Sequence, residues 1–218
     1  MQGCWRSSRL GPDVLSCPVA LLQLRGLRNR LAGPFDLELD AAECIAITGP
    51  SGAGKSLFLR MVADLDPNEG QITLKGRERR TWAAPEWRRQ VMYCAAEPGW
   101  WHDRIDAHFP GAALARAREL APLLDLSLDL FEAPVQQLST GERLRMALIR
   151  AVAAEPPVLL LDEPTGALDQ DSTALVEELL ADRLAGGTAV LMVTHNLEQA
   201  RRIGTRHLRI AERRMIAA

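Results

Sequence analysis

One stretch limits the possible folds of this chain more than any other: Gly49-Pro50-Ser51-Gly52-Ala53-Gly54-Lys55-Ser56. It fits the pattern G-x-x-x-x-G-K-[ST] at every constrained position. The apolar run Cys44-Ile45-Ala46-Ile47-Thr48 before it reads as a strand, and Leu57-Phe58-Leu59-Arg60-Met61-Val62-Ala63 after it reads as a helix. A glycine-rich loop in that setting curls successive backbone N–H groups around an anion, and the helix N-terminus adds partial positive charge. The segment from Gly49 to Leu57 is therefore expected to cradle phosphate groups, with Lys55 reaching the β- and γ-phosphates and the Ser56 hydroxyl ligating Mg²⁺. A strand–loop–helix unit of this kind places the chain among α/β proteins.

Four downstream features add to the site. Val158-Leu159-Leu160-Leu161 is a continuous apolar run, as in a central parallel strand covered on both faces, and it ends in Asp162-Glu163. Ligands of open α/β sheets bind at the C-terminal ends of the strands. Asp162 is expected to hold Mg²⁺ through water. Glu163 is expected to polarise an attacking water as general base, pointing opposite to Asp162 by strand alternation. Leu138-Ser139-Thr140-Gly141-Glu142 precedes a helix over Gly141–Ala154. Ser139 reads as its N-cap and Glu142 as the partner in a capping box; the functional alternative is a second helix N-terminus aimed at phosphate. Ala167-Leu168-Asp169 lies six residues beyond Glu163, and Val193-Thr194-His195 ends a further apolar strand. His195 there can touch both the γ-phosphate and the activated water.

Around these motifs the pattern gives strands at Val19–Arg25, Phe35–Leu39, Gln71–Leu74, Val91–Cys94 and Ala189–Val193, with a last strand pair over His207–Ile216. Short helices are expected at Pro85–Gln90 and Leu197–Ile203, and a longer one at Ser172–Leu184. Between Ile105 and Leu138 the chain is Ala-, Leu- and Arg-rich with no strand signal, which predicts a compact helical insert over about residues 97–140. Residues 1–18 read as an irregular extension, and residues 19–218 as one domain.

Bulk properties narrow the class. The chain has 218 residues and a net charge of −2, which gives no support to a nucleic-acid-binding surface. No apolar run approaches the ~20 residues that span a bilayer. The four cysteines (Cys4, Cys17, Cys44, Cys94) form no CxxC pair; Cys44 and Cys94 read as small core residues in a reducing compartment.

Taken in order, GPSGAGKS, LSTGE, LLLDEPTGALD and VTH resemble the nucleotide-binding subunit of an ABC (ATP-binding cassette) transporter, over essentially Val19 to the C-terminus. The resemblance implies a P-loop NTPase of ABC type: a mixed sheet core, a small antiparallel β region and a short helical insert. It implies ATP and Mg²⁺ as ligands and an ATPase coupled to transport. Two copies would pack head to tail, with Ser139, Thr140 and Gly141 of one contacting the γ-phosphate held by the other. A separate membrane-spanning permease would be the partner, at the cytoplasmic face of the inner membrane. The run Val91–Ala95 and the small insert look similar to bacterial cassettes assigned to iron or other metal export; haem export and lipoprotein release are alternatives. A soluble cassette ATPase and a regulatory module that no longer turns over ATP are the rival readings.

The sequence departs from the family pattern in places. Ala96 stands where such cassettes carry a glutamine, and Glu97 would point the other way by alternation. Leu31 stands nearest the place of the usual adenine-stacking aromatic, so either Arg28 or Arg30 stacks on the base or the base is loosely held, with weak discrimination among ATP, GTP and CTP expected. Thr140 replaces the commonest glycine. Trp100 and Trp101 read either as anchors for the membrane partner or as part of the insert's own core.

Overall fold

The computed structural model describes residues 20–217; the extension expected over residues 1–18, with Cys4 and Cys17, lies outside them. Strands β1 (Leu22–Arg28), β2 (Phe35–Leu39) and β3 (Cys44–Thr48) lead into helix α1 (Lys55–Val62). Then come β4 (Glu69–Leu74), β5 (Arg77–Glu78), α2 (Ala84–Gln90) and β6 (Val91–Cys94). The insert holds α3 (Ala113–Leu120) and four short 3₁₀ segments, Asp106–His108, Ala121–Leu124, Leu128–Phe131 and Val135–Gln137. The chain ends with α4 (Thr140–Val152), β7 (Val158–Asp162), α5 (Gln170–Ala185), β8 (Ala189–Val193), α6 (Leu197–Ile203), β9 (Arg206–Ala211) and β10 (Arg214–Ala217).

Two sheets result. The order β2-β1-β4-β5 is antiparallel throughout. The order β10-β9-β3-β8-β7-β6 is parallel except for the edge strand β10. Patterning explains the difference. β2 alternates buried and exposed residues, as a strand with one wet face does. β7 and β8 are buried at every position because both faces are covered. Ile45, Ile47, Leu160 and Leu191 pack with α1 and the antiparallel sheet. Cys44, Ala46, Leu161 and Met192 pack on the other face with α4, α5 and the insert. Trp87 of α2 is fully buried, and its indole N–H donates to the Val62 carbonyl at 3.0 Å, so the end of α1 is tied down from outside the sheet.

The first strand begins and ends later than the sequence pattern suggested. It runs on through Gly26, which takes φ 59°, and its registers with β2 and β4 shift around that glycine. A bulge of this kind breaks the period-2 pattern on which the expectation rested. Cys44 and Cys94 are free and buried, as expected. Burial chiefly pushes their thiols up, to about 12 and about 11 respectively, so both act as small apolar side chains.

The insert is built around a neutral histidine. His108 is 3% exposed. Its Nδ1–H donates to the Arg104 carbonyl at 2.9 Å, while Nε2 accepts from the Trp101 and His102 amides at 3.0 Å each. Burial lowers its pKa from the ordinary 6.5. A proton added at Nε2 would face two N–H donors. The stability that His108 supplies is therefore complete above pH ~6.5 and is lost as pH falls through the lowered value of the folded state. The melting temperature of the wild type is expected to fall more steeply between pH 7 and 5 than that of His108→Gln. Parallel slopes in a thermal melting series would contradict this.

Candidate functional site

The phosphate loop bridges β3 and α1. Gly49 stands at φ 149°, and a Cβ there would lie 2.1 Å from the Ile210 carbonyl oxygen of β9. Gly52 and Gly54 take φ 73° and 96°, which only glycine adopts freely. Gly54 is the N-cap of α1, and neither a side-chain cap nor a first-turn acid covers the helix start. The first N–H groups of α1 therefore have no side-chain acceptor, an arrangement suited to an anion. Lys55 is only 6% exposed; its ammonium donates to the Gly49 and Pro50 carbonyls at 2.9 and 3.0 Å, which brings its charge over the loop.

The two acids lie at the C-terminal end of β7, and His195 follows β8, the strand between β7 and the loop-bearing β3. Asp162 closes β7 and is 3% exposed. Tyr93 of the neighbouring β6 donates its hydroxyl to Asp162 Oδ2 at 3.0 Å. Sequence reasoning missed Tyr93; the available signal was a lone phenol in an apolar strand, because a buried hydroxyl needs a partner. Burial first, and the Asp162 carboxylate second, hold this phenol above its ordinary range, so it stays a neutral donor.

Strand alternation does not govern Glu163. It lies past the end of β7 at φ 51°, while its N–H still donates to the Val193 carbonyl at 2.9 Å. The left-handed residue, not strand pleating, sets its direction. Its Oε1 lies 2.7 Å from His195 Nε2, so the two functional side chains expected from separate motifs do meet.

A buried amide ties the two segments together. Gln199 is fully buried; its Oε1 accepts from the Thr194 hydroxyl at 2.9 Å, and its Nε2 donates to the Thr165 hydroxyl at 2.9 Å. Thr194 precedes His195, and Thr165 follows Glu163 by two residues. The same Nε2 reaches Glu177 Oε1 at 3.3 Å, and Glu177 is paired with Arg202 at 2.7 Å. Nothing in the sequence pattern singled out Gln199.

The expected capping box is present. Ser139 Oγ accepts from the Glu142 amide at 3.3 Å, and Glu142 Oε2 accepts from the Ser139 amide at 2.8 Å. The Ser139 hydrogen bonds hold the Glu142 carboxyl below its usual range. Among the described residues no hydrogen bond joins residues 139–141 to residues 49–57. Asp169 caps α5 by accepting from the Ser172 amide at 2.7 Å.

Ala96 and Glu97 both line a cavity of about 460 Å³ together with Thr140, Arg143 and Glu163. Glu97 therefore does not face away from the site: β6 ends at Cys94, so alternation has no hold on residue 97. The Arg28 guanidinium is paired across β1 and β4, donating to Glu69 Oε2 at 3.0 and 3.1 Å. The two tryptophans divide the expectation between them. Trp100 packs against the insert core, whereas Trp101 is 65% exposed at the rim of an apolar groove of about 390 Å³ that includes Met92, Phe109 and Arg150. The Arg150 guanidinium carbon lies 4.5 and 4.9 Å from the two indole centroids and fixes the pair.

A parallel sheet with this loop after β3, acids after β7 and a histidine after β8 defines a P-loop nucleotide-binding ATPase with a helical insert and an antiparallel side sheet. The chain belongs to the ABC transporter family, whose sequence profile matches residues 33–166. It is 36% identical over 219 residues to the hemin import ATP-binding protein HmuV of Streptomyces coelicolor, across 88% of this chain and 76% of that protein. It is also 36% identical over 196 residues to the probable iron export ATP-binding protein FetA of Escherichia coli, across 82% and 86% of the two chains. Solved structures share the fold. An ATP-binding subunit of an ABC transporter superposes with a TM-score of 0.80 at 24% identity, over 91% of this chain and 90% of that one. The dimeric cassette MJ0796 in a post-hydrolysis state with ADP and phosphate gives 0.79 at 23%, over 90% and 98%. The chain is thus an ABC-type ATPase that binds ATP. Its relatives are ATP-binding subunits of both import and export systems. Among the described residues no helix is long and apolar enough to cross a membrane.

Proposed function

We propose that residues 19–218 form one cassette, with its helical insert at about 97–140, that works as a head-to-tail pair and powers a separate membrane-spanning permease from the cytoplasmic face of the plasma membrane. The observation that carries this reading is the convergence of the phosphate loop, Asp162 and the Glu163–His195 pair at adjacent strand ends. Lys55 and the backbone amides of Gly49–Leu57 bind the β- and γ-phosphates. Mg²⁺ bound with the nucleotide neutralises charge on those phosphates. The Ser56 hydroxyl and the Asp162 carboxylate are the hard oxygen donors that would hold it, and Tyr93 fixes the orientation of that carboxylate. Glu163 accepts the proton of the attacking water, and His195 orients it through the 2.7 Å contact. Gln199 keeps the two from drifting apart.

Ser139, Thr140 and Gly141 make no hydrogen bond to their own chain's phosphate loop, and the dimeric relatives of this fold supply the reason to assign them to a second copy's γ-phosphate. The apolar groove beside Trp101 suits a short helix of the permease, with the exposed indole as anchor. FetA similarity and the small insert favour metal export as the cargo class.

A site completed by a second copy has a kinetic signature. Phosphate release by the purified chain is expected to rise more steeply than in proportion to protein concentration, until the pair is saturated. A rate per chain that stays constant over a hundredfold dilution would contradict the shared site.

A further inference from the structure

The β9–β10 turn has a feature that the hydrolytic geometry leaves unused. Glu212 and Arg213 stand at φ 49° and 62°, a left-handed pair that glycine adopts freely and arginine does not. Strain held at non-glycine residues recurs at ligand sites. Arg213 is exposed, and its side chain runs to the phosphate loop. A Cβ placed on Gly54 would lie 3.8 Å from Arg213 Cγ and 3.7 Å from Ala32 Cβ. Arg213 Nη1 donates to the Leu31 carbonyl at 3.1 Å, and the Arg213 carbonyl accepts from the Gly33 amide at 3.0 Å. Leu31 beside it is 56% exposed. An apolar side chain and a pinned guanidinium thus stand together on one flank of the loop.

Sheet order says which flank. β3 feeds the loop and lies between β9 and β8. Asp162, Glu163 and His195 all follow strands on the β8 side. A triphosphate whose terminal phosphoryl group meets those side chains leaves its nucleoside on the β9 side, where Arg213 and Leu31 are. We infer that the Arg213 guanidinium stacks on the face of the nucleobase, with Leu31 as the apolar wall beside it. The inference rests on the phosphate-loop reading above. One hydrogen bond, to the Leu31 carbonyl, holds the guanidinium beside that residue. Every base offers a π-face, so this contact sets affinity and does little to choose among ATP, GTP and CTP.

The test compares two ligands by calorimetry on the full chain: Mg·ATP, and inorganic tripolyphosphate with Mg²⁺, which has the phosphates without the base. Arg213→Gly is expected to bind ATP about tenfold more weakly than wild type, to bind tripolyphosphate as wild type does, and to melt at an equal or higher temperature because glycine suits the turn. Arg213→Asn, which also tolerates the left-handed region, is expected to repeat the ATP and tripolyphosphate results. Unchanged ATP affinity in Arg213→Gly overturns the inference, as does a tripolyphosphate affinity that falls in step with ATP. A wild type that binds neither ligand removes the phosphate-loop reading, and the base contact with it.

Discussion

Glu163→Gln is expected to lower phosphate release by about 10²- to 10⁴-fold while leaving ATP affinity within about twofold of wild type. The substitution is narrow. Glutamine keeps the shape and one acceptor oxygen, so the 2.7 Å contact to His195 Nε2 survives. The amide cannot take a proton from water. Nothing that holds the phosphates changes: the glycine-lined loop, the start of α1 and the Lys55 ammonium are all carried by a different strand–helix unit. Backbone placement is preserved too, because the Glu163 N–H donates to the Val193 carbonyl whatever the side chain is. A loss of ATP binding equal to the loss of turnover would assign Glu163 to binding. An unchanged rate of phosphate release would remove it from the chemistry altogether and favour a module that does not turn over ATP.

Gly49→Ala is expected to cost several kcal/mol of stability, on the order of 3–5, and to abolish ATP binding. Two costs add. The residue sits at φ 149°, and its new methyl would lie 2.1 Å from the Ile210 oxygen and 3.1 Å from the Ile210 carbonyl carbon. The obstacle is backbone, so no side-chain rotation relieves it. Thr48 pairs with Arg209 immediately before this point, and either the β3–β9 pairing or the loop must move. Gly52→Ala is the internal control. A Cβ at Gly52 meets nothing within 4 Å, so only the left-handed cost at φ 73°, about 1–2 kcal/mol, remains. Urea unfolding of the two variants reads the difference. Equal midpoints would show that contact with β9 does not constrain the loop.

The phosphate loop and the acids of β7 were legible in the sequence because each rests on local chemistry: glycines where the backbone must turn, and carboxylates where a buried strand ends. β2, β3, β6, β8 and α6 were legible for a related reason, since their apolar patterns are uninterrupted between clear breaks. What stayed hidden depends on partners distant in sequence. Tyr93 reaches Asp162 only because β6 lies beside β7, and nothing in the run Val91–Cys94 announces that pairing. Gln199 looks like a surface residue of a charged helix until the fold brings Thr165 and Thr194 around it. For Glu97 and Glu163 alternation was carried past the ends of their strands, where a left-handed or irregular residue, not the pleat, governs the side chain. Arg28 was expected at the base because it is close in sequence to Leu31, but the β1–β4 pairing offers it Glu69 instead. Arg213, far away in sequence, takes the place beside Leu31 through the β9–β10 turn.

Titration of the Glu163→Gln chain with ATP in millimolar Mg²⁺, followed by calorimetry and by phosphate release on the same sample, tests the central claim most directly. One saturable ATP per chain with almost no phosphate released is the expected result. No heat of binding at millimolar ATP, or phosphate release at the wild-type rate, would contradict a site in which this loop holds the triphosphate and Glu163 drives its cleavage.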